Sequence, residues 1–282
     1  KRNIIINGAM NVAQRGTSAA DITTTGYYTV DRWQFVHSNS DSTVTITQST
    51  DTPTGFGNST KLDCTAVDTD ASSTGLIKFR QKIEGQNLQG FAKGTSDAKP
   101  FAVSFYVKGN ASATYACELF DQENSRQMSQ LFTSGTLNSS AFASSTDANR
   151  YVGISSLVDS TSRTFFITGV QLEVGQNPTS FEHRAFGDEV ALCQRYYAKS
   201  YGYGTVPGTA ATGSAVYNRF NASVTNRTDL ATRFPVTMRT TPDLTPYDLQ
   251  GTVDKVSDCS TGVAHSASIG VSTVQNRGQN GF

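Results

Sequence analysis

Charge is scarce in this chain. Asp, Glu, Lys and Arg make up 16% of the 282 residues, and 23 basic side chains balance 23 acidic ones. No stretch is a basic run, so the electrostatic footprint of a nucleic-acid partner is missing. Apolar runs are equally short: Ile4-Ile5-Ile6 spans three residues and reads as strand. Nothing approaches the roughly 20 apolar residues that a membrane-spanning helix needs, so no membrane insertion is expected. The four cysteines, Cys64, Cys117, Cys193 and Cys259, lie dozens of residues apart with no Cys-x-x-Cys. That spacing excludes a zinc ribbon and a redox motif. Cys64, Cys117 and Cys193 fall in apolar patterns and read as buried free thiols. The three histidines, His37, His183 and His265, are scattered, each without a second ligand at short spacing. His183, between Glu182 and Arg184, reads as part of a polar cluster that fixes a turn. No Gly-x-Ser-x-Gly elbow, P-loop or dinucleotide fingerprint occurs. No catalytic residue, no metal site and no cofactor is therefore expected. Calcium at one end of a β-domain has only Asp21 and Asp68-Thr-Asp70 in its favour, and a solvated acidic loop explains both more simply.

What the chain does have is Ser, Thr, Asn and Gly in abundance, with β-branched and aromatic residues at alternating positions. Such a mix suits short strands and turns better than helices. Strands are expected over Asn3 to Asn7, Ser42 to Gln48, Lys61 to Val67, Leu76 to Glu84 and Phe101 to Val107. Further ones are expected over Ala113 to Phe120, Gln127 to Thr133, Arg150 to Val158 and Arg163 to Val174. Turn clusters separate them, among them Pro53-Thr-Gly-Phe-Gly57, Gly85-Gln-Asn87 and Gly109-Asn110. Ser134 to Asn149 reads as an exposed loop or poorly paired hairpin. The class that follows is mainly β, an antiparallel β-sandwich.

In Gly169-Val-Gln-Leu-Glu-Val-Gly175, Val170, Leu172 and Val174 alternate with Gln171 and Glu173, the period of a strand with one buried face. Gly175 and Pro178 stop it. Asp188 and Glu189 then open a helix over about 187–199, with Val190, Cys193 and Tyr197 on its apolar face. Near the start, Tyr27, Tyr28, Trp33 and Phe35 crowd into nine residues around Asp31-Arg32. So dense a group either caps one end of the sandwich core, the plainer reading, or forms a sugar-stacking platform; Asp31-Arg32 reads as an ion pair that anchors the loop, and Trp33 as structural. After Tyr201 the composition shifts to Gly, Thr and Ala, which marks a boundary: residues 1–200 form the sandwich and helix, and 201–282 a smaller β-unit or extension. Strands in that unit are expected over Ala215 to Val224, Thr232 to Met238, Asp243 to Leu249, Gly251 to Val256 and Ala267 to Val274.

Two stretches carry a resemblance. Val170-Gln-Leu-Glu-Val-Gly175, Phe181-Glu-His-Arg184 and Cys193-Gln-Arg-Tyr-Tyr197 resemble the carboxy-terminal signature of bacteriophage tail-fibre and related virion adhesin proteins. Arg2-Asn-Ile-Ile-Ile-Asn-Gly-Ala-Met-Asn-Val-Ala-Gln-Arg-Gly-Thr17, with Tyr27-Tyr-Thr-Val-Asp-Arg-Trp33, is similar to their amino-terminal signature. A looser likeness over about 75–175, mostly of hydrophobic pattern, is to jelly-roll carbohydrate-binding modules. The resemblance implies a non-enzymatic virion protein, a tail fibre or receptor-binding protein on the tail or capsid surface. It would assemble as a homotrimer with other virion proteins as partners. The ligand expected is a host surface glycan, for which Tyr27, Tyr28, Tyr201 and Tyr203 are the candidate stacking residues. Two alternatives stand beside it: a capsid decoration or head-fibre protein with a mechanical role, and a glycan-binding module of a glycoside hydrolase. The final Gly281-Phe282 fits a chain that is a piece of a longer one.

Overall fold

The computed structural model describes residues 2–69, 75–110, 114–133, 143–144, 156–210, 232–248, 250–254, 256–257, 264–265 and 277–281. Within them the chain is mainly β, and every strand pairing is antiparallel. The strands are β1 (Ser18–Ile22), β2 (Trp33–Ser38), β3 (Thr43–Ser49), β4 (Ser59–Ala66), β5 (Leu76–Gln81), β6 (Phe101–Gly109), β7 (Thr114–Asp121) and β8 (Arg126–Thr133). β9 (Ala143–Ser144), β10 (Thr164–Val174), β11 (Val256–Ser257) and β12 (Ala264–His265) complete the set. One α-helix, α1 (Phe186–Gln194), and a 3-10 turn over Gly85–Phe91 are the only helices among the described residues, and neither is long enough to cross a membrane.

Five strands form one sheet in the order β1-β3-β4-β10-β6. Threonines alternate with Val44 and Ile46 along β3, which turns both inward beside Leu62 and Cys64 of β4 and Phe165 of β10. Phe35 of β2 and Ile77 of β5, from a separate two-stranded pair, close over them. Two packed layers result, and each large apolar side chain so buried contributes about 1.5–3 kcal/mol. Tyr115 of β7 meets Phe165 with ring centroids 4.7 Å apart, bringing the β7–β8 hairpin onto the same core. The described sheets hold five, three, two and two strands.

Seven of the expected strands correspond to β3 to β8 and β10. β1 and β2 fall where the sequence pattern points to a loop and an aromatic cluster. β1 lacks alternation and pairs only with β3, through a register shift. β2 is buried on nearly every residue, so its pattern is continuous and its period hidden. Ser156 to Val158 form no strand, although Val158 reaches the core; residues 150–155 lie outside the described residues, as does most of Ser134 to Asn149. The helix is shorter than 187–199 and turns at Arg195. Its apolar face does bury Cys193, with Val190 packed alongside.

Past Tyr201 the expected strands are much reduced. Thr232 to Met238 and the described part of Asp243 to Leu249, which ends at Asp248, make only single bridges, Arg233 to Gly281 and Tyr247 to Val253. Gly251 to Val256 keeps only that Val253 bridge and Val256 itself, the first residue of β11, which pairs with β12. Ala215 to Val224 and Ala267 to Val274 lie outside the described residues.

The largest departure is at the start. Residues 2–8 are not an edge strand. They run as irregular chain between β10 and the Glu182–Glu189 stretch, with Asn3, Ile5, Ile6 and Asn7 all buried. Two backbone bonds link them to β10: Ile4 N–H to Leu172 O and Val170 N–H to Gly8 O, both 3.0 Å. Side chains satisfy much of the rest. Asn3 Oδ1 accepts from Ile5 N (3.0 Å) and Leu172 N (3.2 Å), while its Nδ2 donates to Val170 O (3.2 Å). Gln81 bonds both the N–H (3.0 Å) and the C=O (2.7 Å) of Ile6. Glu182 accepts from the N–H groups of Arg2 and Asn3, Glu189 from that of Asn7 (2.5 Å), and Arg184 donates to the carbonyls of Ile5 (2.8 Å) and Asn3. β10 bulges at Gly169, whose φ is 63°, which breaks the register here, and Gly8 lies so close to β10 that a Cβ on it would meet Val170 O at 2.2 Å.

Gln171 and Glu173, expected on a solvated face, are 0% and 1% exposed. Gln171 Oε1 accepts from Glu182 N at 2.8 Å. Burial acts to raise the pKa of Glu173, but bonds from the Thr179 N–H and hydroxyl (both 2.7 Å) and Gln171, with Arg2 at 3.3 Å, hold it below the usual carboxylate value. β10 is thus buried on both faces at this point. Replacing Asn3 by Ala leaves two buried donors and one acceptor without their partner. The expected cost is about 3 kcal/mol, read as a lower urea midpoint with an unchanged m-value.

Candidate functional site

A cleft of about 250 Å³ opens where the first 32 residues, the end of β5, the end of α1 and Arg239 meet. Its geometry starts at the Asn7-Gly8 turn. The Asn7 side chain bonds Val12 N (2.9 Å), Val12 O (2.8 Å) and Asp31 O (2.9 Å), tying the two neighbouring loop segments together. Gln14 and Arg15 follow on one segment, Asp31 and Arg32 on the other. Arg32 has a left-handed φ of 75°, so adjacent side chains diverge. Asp31 is 1% exposed and accepts from Gln14 Nε2 at 2.6 Å and Arg15 Nη1 at 3.1 Å. Arg32 turns the other way, over the Tyr196 ring at 3.4 Å, and donates Nη2 to the Lys82 carbonyl. The expected Asp31–Arg32 ion pair is replaced by Asp31–Arg15.

Burial pushes the Asp31 carboxyl up to about 6, against the opposing pull of Gln14 and Arg15. Burial also lowers the pKa of the Arg32 guanidinium. Arg32 is 6% exposed, its Nε has no hydrogen-bond partner, and among the described residues no carboxylate forms a salt bridge with it. At the far wall Glu84 accepts from Arg195 Nε and Nη2, both at 3.1 Å, and from the Tyr196 hydroxyl. The bond from Arg195 is the main cause of its lowered pKa. Arg239 stands 4.0 Å from Glu84 with its side chain 58% exposed. The lining therefore sets the cations of Arg15, Arg32, Lys82 and Arg239 against the carboxylates of Asp31 and Glu84.

Of the four candidate tyrosines, Tyr27 lines this cleft. The Arg15 guanidinium lies 5.5 Å from its ring centroid and 3.6 Å from that of Tyr197. Tyr28 folds back to donate its hydroxyl to Thr24 O at 2.8 Å, with its ring against the main core. Tyr201 meets Tyr247 edge-on at 6.2 Å. Tyr203 accepts from Ala13 N at 2.7 Å, donates to Asn11 O at 3.0 Å and meets Phe186 edge-on. The structure does not bring the four together. Tyr196 and Tyr197 complete the cleft instead; the sequence placed them only within the expected helix.

A second aromatic group joins Phe56, Tyr106, Phe181 and His183, with centroids 4.8–5.2 Å apart along its contacts. His183 thus packs edge-on against Phe181 and tilted against Phe56, while Glu182 and Arg184 on either side bond residues 2–5. Cys64 and Cys193 are buried free thiols, and Cys117 is half-buried and free. Among the described residues no group of three His, Cys, Asp or Glu side chains gathers as a metal site, and Asp70 lies outside them.

The raised Asp31 pKa has a definite sign. Between pH 3.8 and about 6 the folded chain holds a proton that the unfolded chain has lost, so this group's contribution to stability falls as pH rises. The interval corresponds to about 3 kcal/mol. Asp31→Asn should flatten that part of the stability profile in urea melts at several pH values. Arg15→Gln should move the Asp31 midpoint above 6, followed by carbon NMR of the carboxyl.

No protein-family model matches the chain, and neither does any curated protein or solved structure.

Proposed function

We propose that this chain is a non-enzymatic bacteriophage virion protein, a tail fibre or receptor-binding protein that holds a host surface glycan in the cleft beside Tyr27. The observation that carries the reading is the cleft itself. It is an open recess with a half-buried tyrosine on one side and fixed hydrogen-bonding groups on the other. An aromatic face suits the C–H face of a pyranose, and side chains held by their neighbours lose little freedom on binding. The resemblance at both ends of residues 1–200 supports the virion assignment. Those two signatures also bond one another, through Asn3 with Val170 and Leu172 and through Arg184 with Ile5. A homotrimer, implied by the same resemblance, would present three such clefts and turn weak single sites into avid attachment.

Binding of the purified chain to host cells and to a glycan array tests this reading. Tyr27→Ala should weaken glycan binding about tenfold, the loss typical of an anchoring aromatic, with little change in melting temperature. Tyr203→Ala should do the reverse, because it leaves the Ala13 N–H without its partner. No binding to any host envelope or glycan would refute the adhesin role.

A further inference from the structure

We propose that the cleft selects a sugar carrying an anionic group, a carboxylate or a phosphate, with Arg32, Lys82 and Arg239 as its counter-charges. The inference rests on the glycan reading above and narrows it. Three observations carry it.

The first is charge that the protein does not balance. Both carboxylates of the cleft are already engaged, Asp31 by Gln14 and Arg15, Glu84 by Arg195 and Tyr196. Among the described residues Lys82 has no salt bridge, and Arg239 makes only a long ion pair, 4.0 Å, with the already engaged Glu84. The groups left over are cationic donors. A neutral sugar offers hydroxyls that need acceptors as well as donors, and here both carboxylates are already engaged.

The second is the buried guanidinium of Arg32. A charge out of water with no carboxylate at salt-bridge distance among the described residues, offset only by the more distant Glu84, is costly, and its Nε is unpaired. An anion in the cleft supplies the missing charge through charge-assisted bonds.

The third is the state of the aromatic walls. The guanidinium of Arg32 covers one face of Tyr196 at 3.4 Å, and that of Arg15 covers Tyr197 at 3.6 Å. Two of the three rings therefore have a face closely covered, and Arg15 also lies over Tyr27, at the longer distance of 5.5 Å. Recognition in this cleft depends more on charge than on stacking.

Titration calorimetry on the full chain tests the proposal, using glucuronate, glucose 6-phosphate and glucose, the matching galactose series, and N-acetylneuraminate. Acidic sugars should bind at least about tenfold more tightly than their neutral counterparts, and the advantage should shrink as salt rises from about 50 to 500 mM. Preference for the uronates or for the sugar phosphates assigns the anionic group. The double variant Lys82→Ala, Arg239→Ala should lose about fivefold or more for the acidic sugars and keep its melting temperature. Neutral sugars binding as tightly as acidic ones would overturn the inference and leave the glycan reading standing. Acidic binding untouched by the double variant would also overturn it, as would inorganic phosphate binding as well as glucose 6-phosphate. Failure of every saccharide to bind would overturn both readings.

Discussion

The structure depends on one requirement: the backbone of residues 3–7 is buried, and its polar groups must be paired inside the protein. A sheet would pair them with one neighbouring strand. Here they are met by Asn3, Gln81, Glu182, Arg184 and Glu189, side chains from well-separated parts of the sequence. Each of these bonds fixes another element. Glu189 seats α1, so that Cys193 packs with Ile6 and Val12. Asn7 joins Val12 to Asp31, which sets where Arg15 and Arg32 begin. The cleft walls follow from these placements.

The same pairing requirement governs the few charged residues that are buried. Glu173, Asp31 and Arg32 are all below 7% exposed. Glu173 is surrounded by donors and stays easily ionised, whereas Asp31 has fewer and resists ionisation. Arg32 has a ring and a carbonyl but no carboxylate at salt-bridge distance among the described residues. A fully satisfied group stiffens the fold; an incompletely satisfied one is available to a ligand.

Much of the sandwich was legible in the sequence. Val44 and Ile46 alternate with threonine because only one side of β3 is buried, and a period of two is visible without a structure. Ile4-Ile5-Ile6 misled because apolar side chains in an irregular segment look like those of a strand; what distinguishes them is the pairing of their backbone, which sequence does not display. Gln171 and Glu173 misled for the opposite reason, since polar residues at alternate positions imply water unless partners such as Thr179 and Glu182 are known. The cleft was legible only at Tyr27. Arg15 with Tyr197, and Arg32 with Tyr196, are brought together by the fold across more than half the chain, and no local spacing announces such pairs.

The bonds between Asn3 and Leu172, and between Asn7 and Glu189, span 169 and 182 residues. On a ribosome, residues 3–7 therefore wait for these partners until Leu172 and Glu189 have emerged. Their buried amides stay hydrated meanwhile, and the hydrophobic Ile4-Ile5-Ile6 run stays uncovered. Contacts of such long range close slowly, and the cleft, whose walls these bonds place, is complete only once they are made.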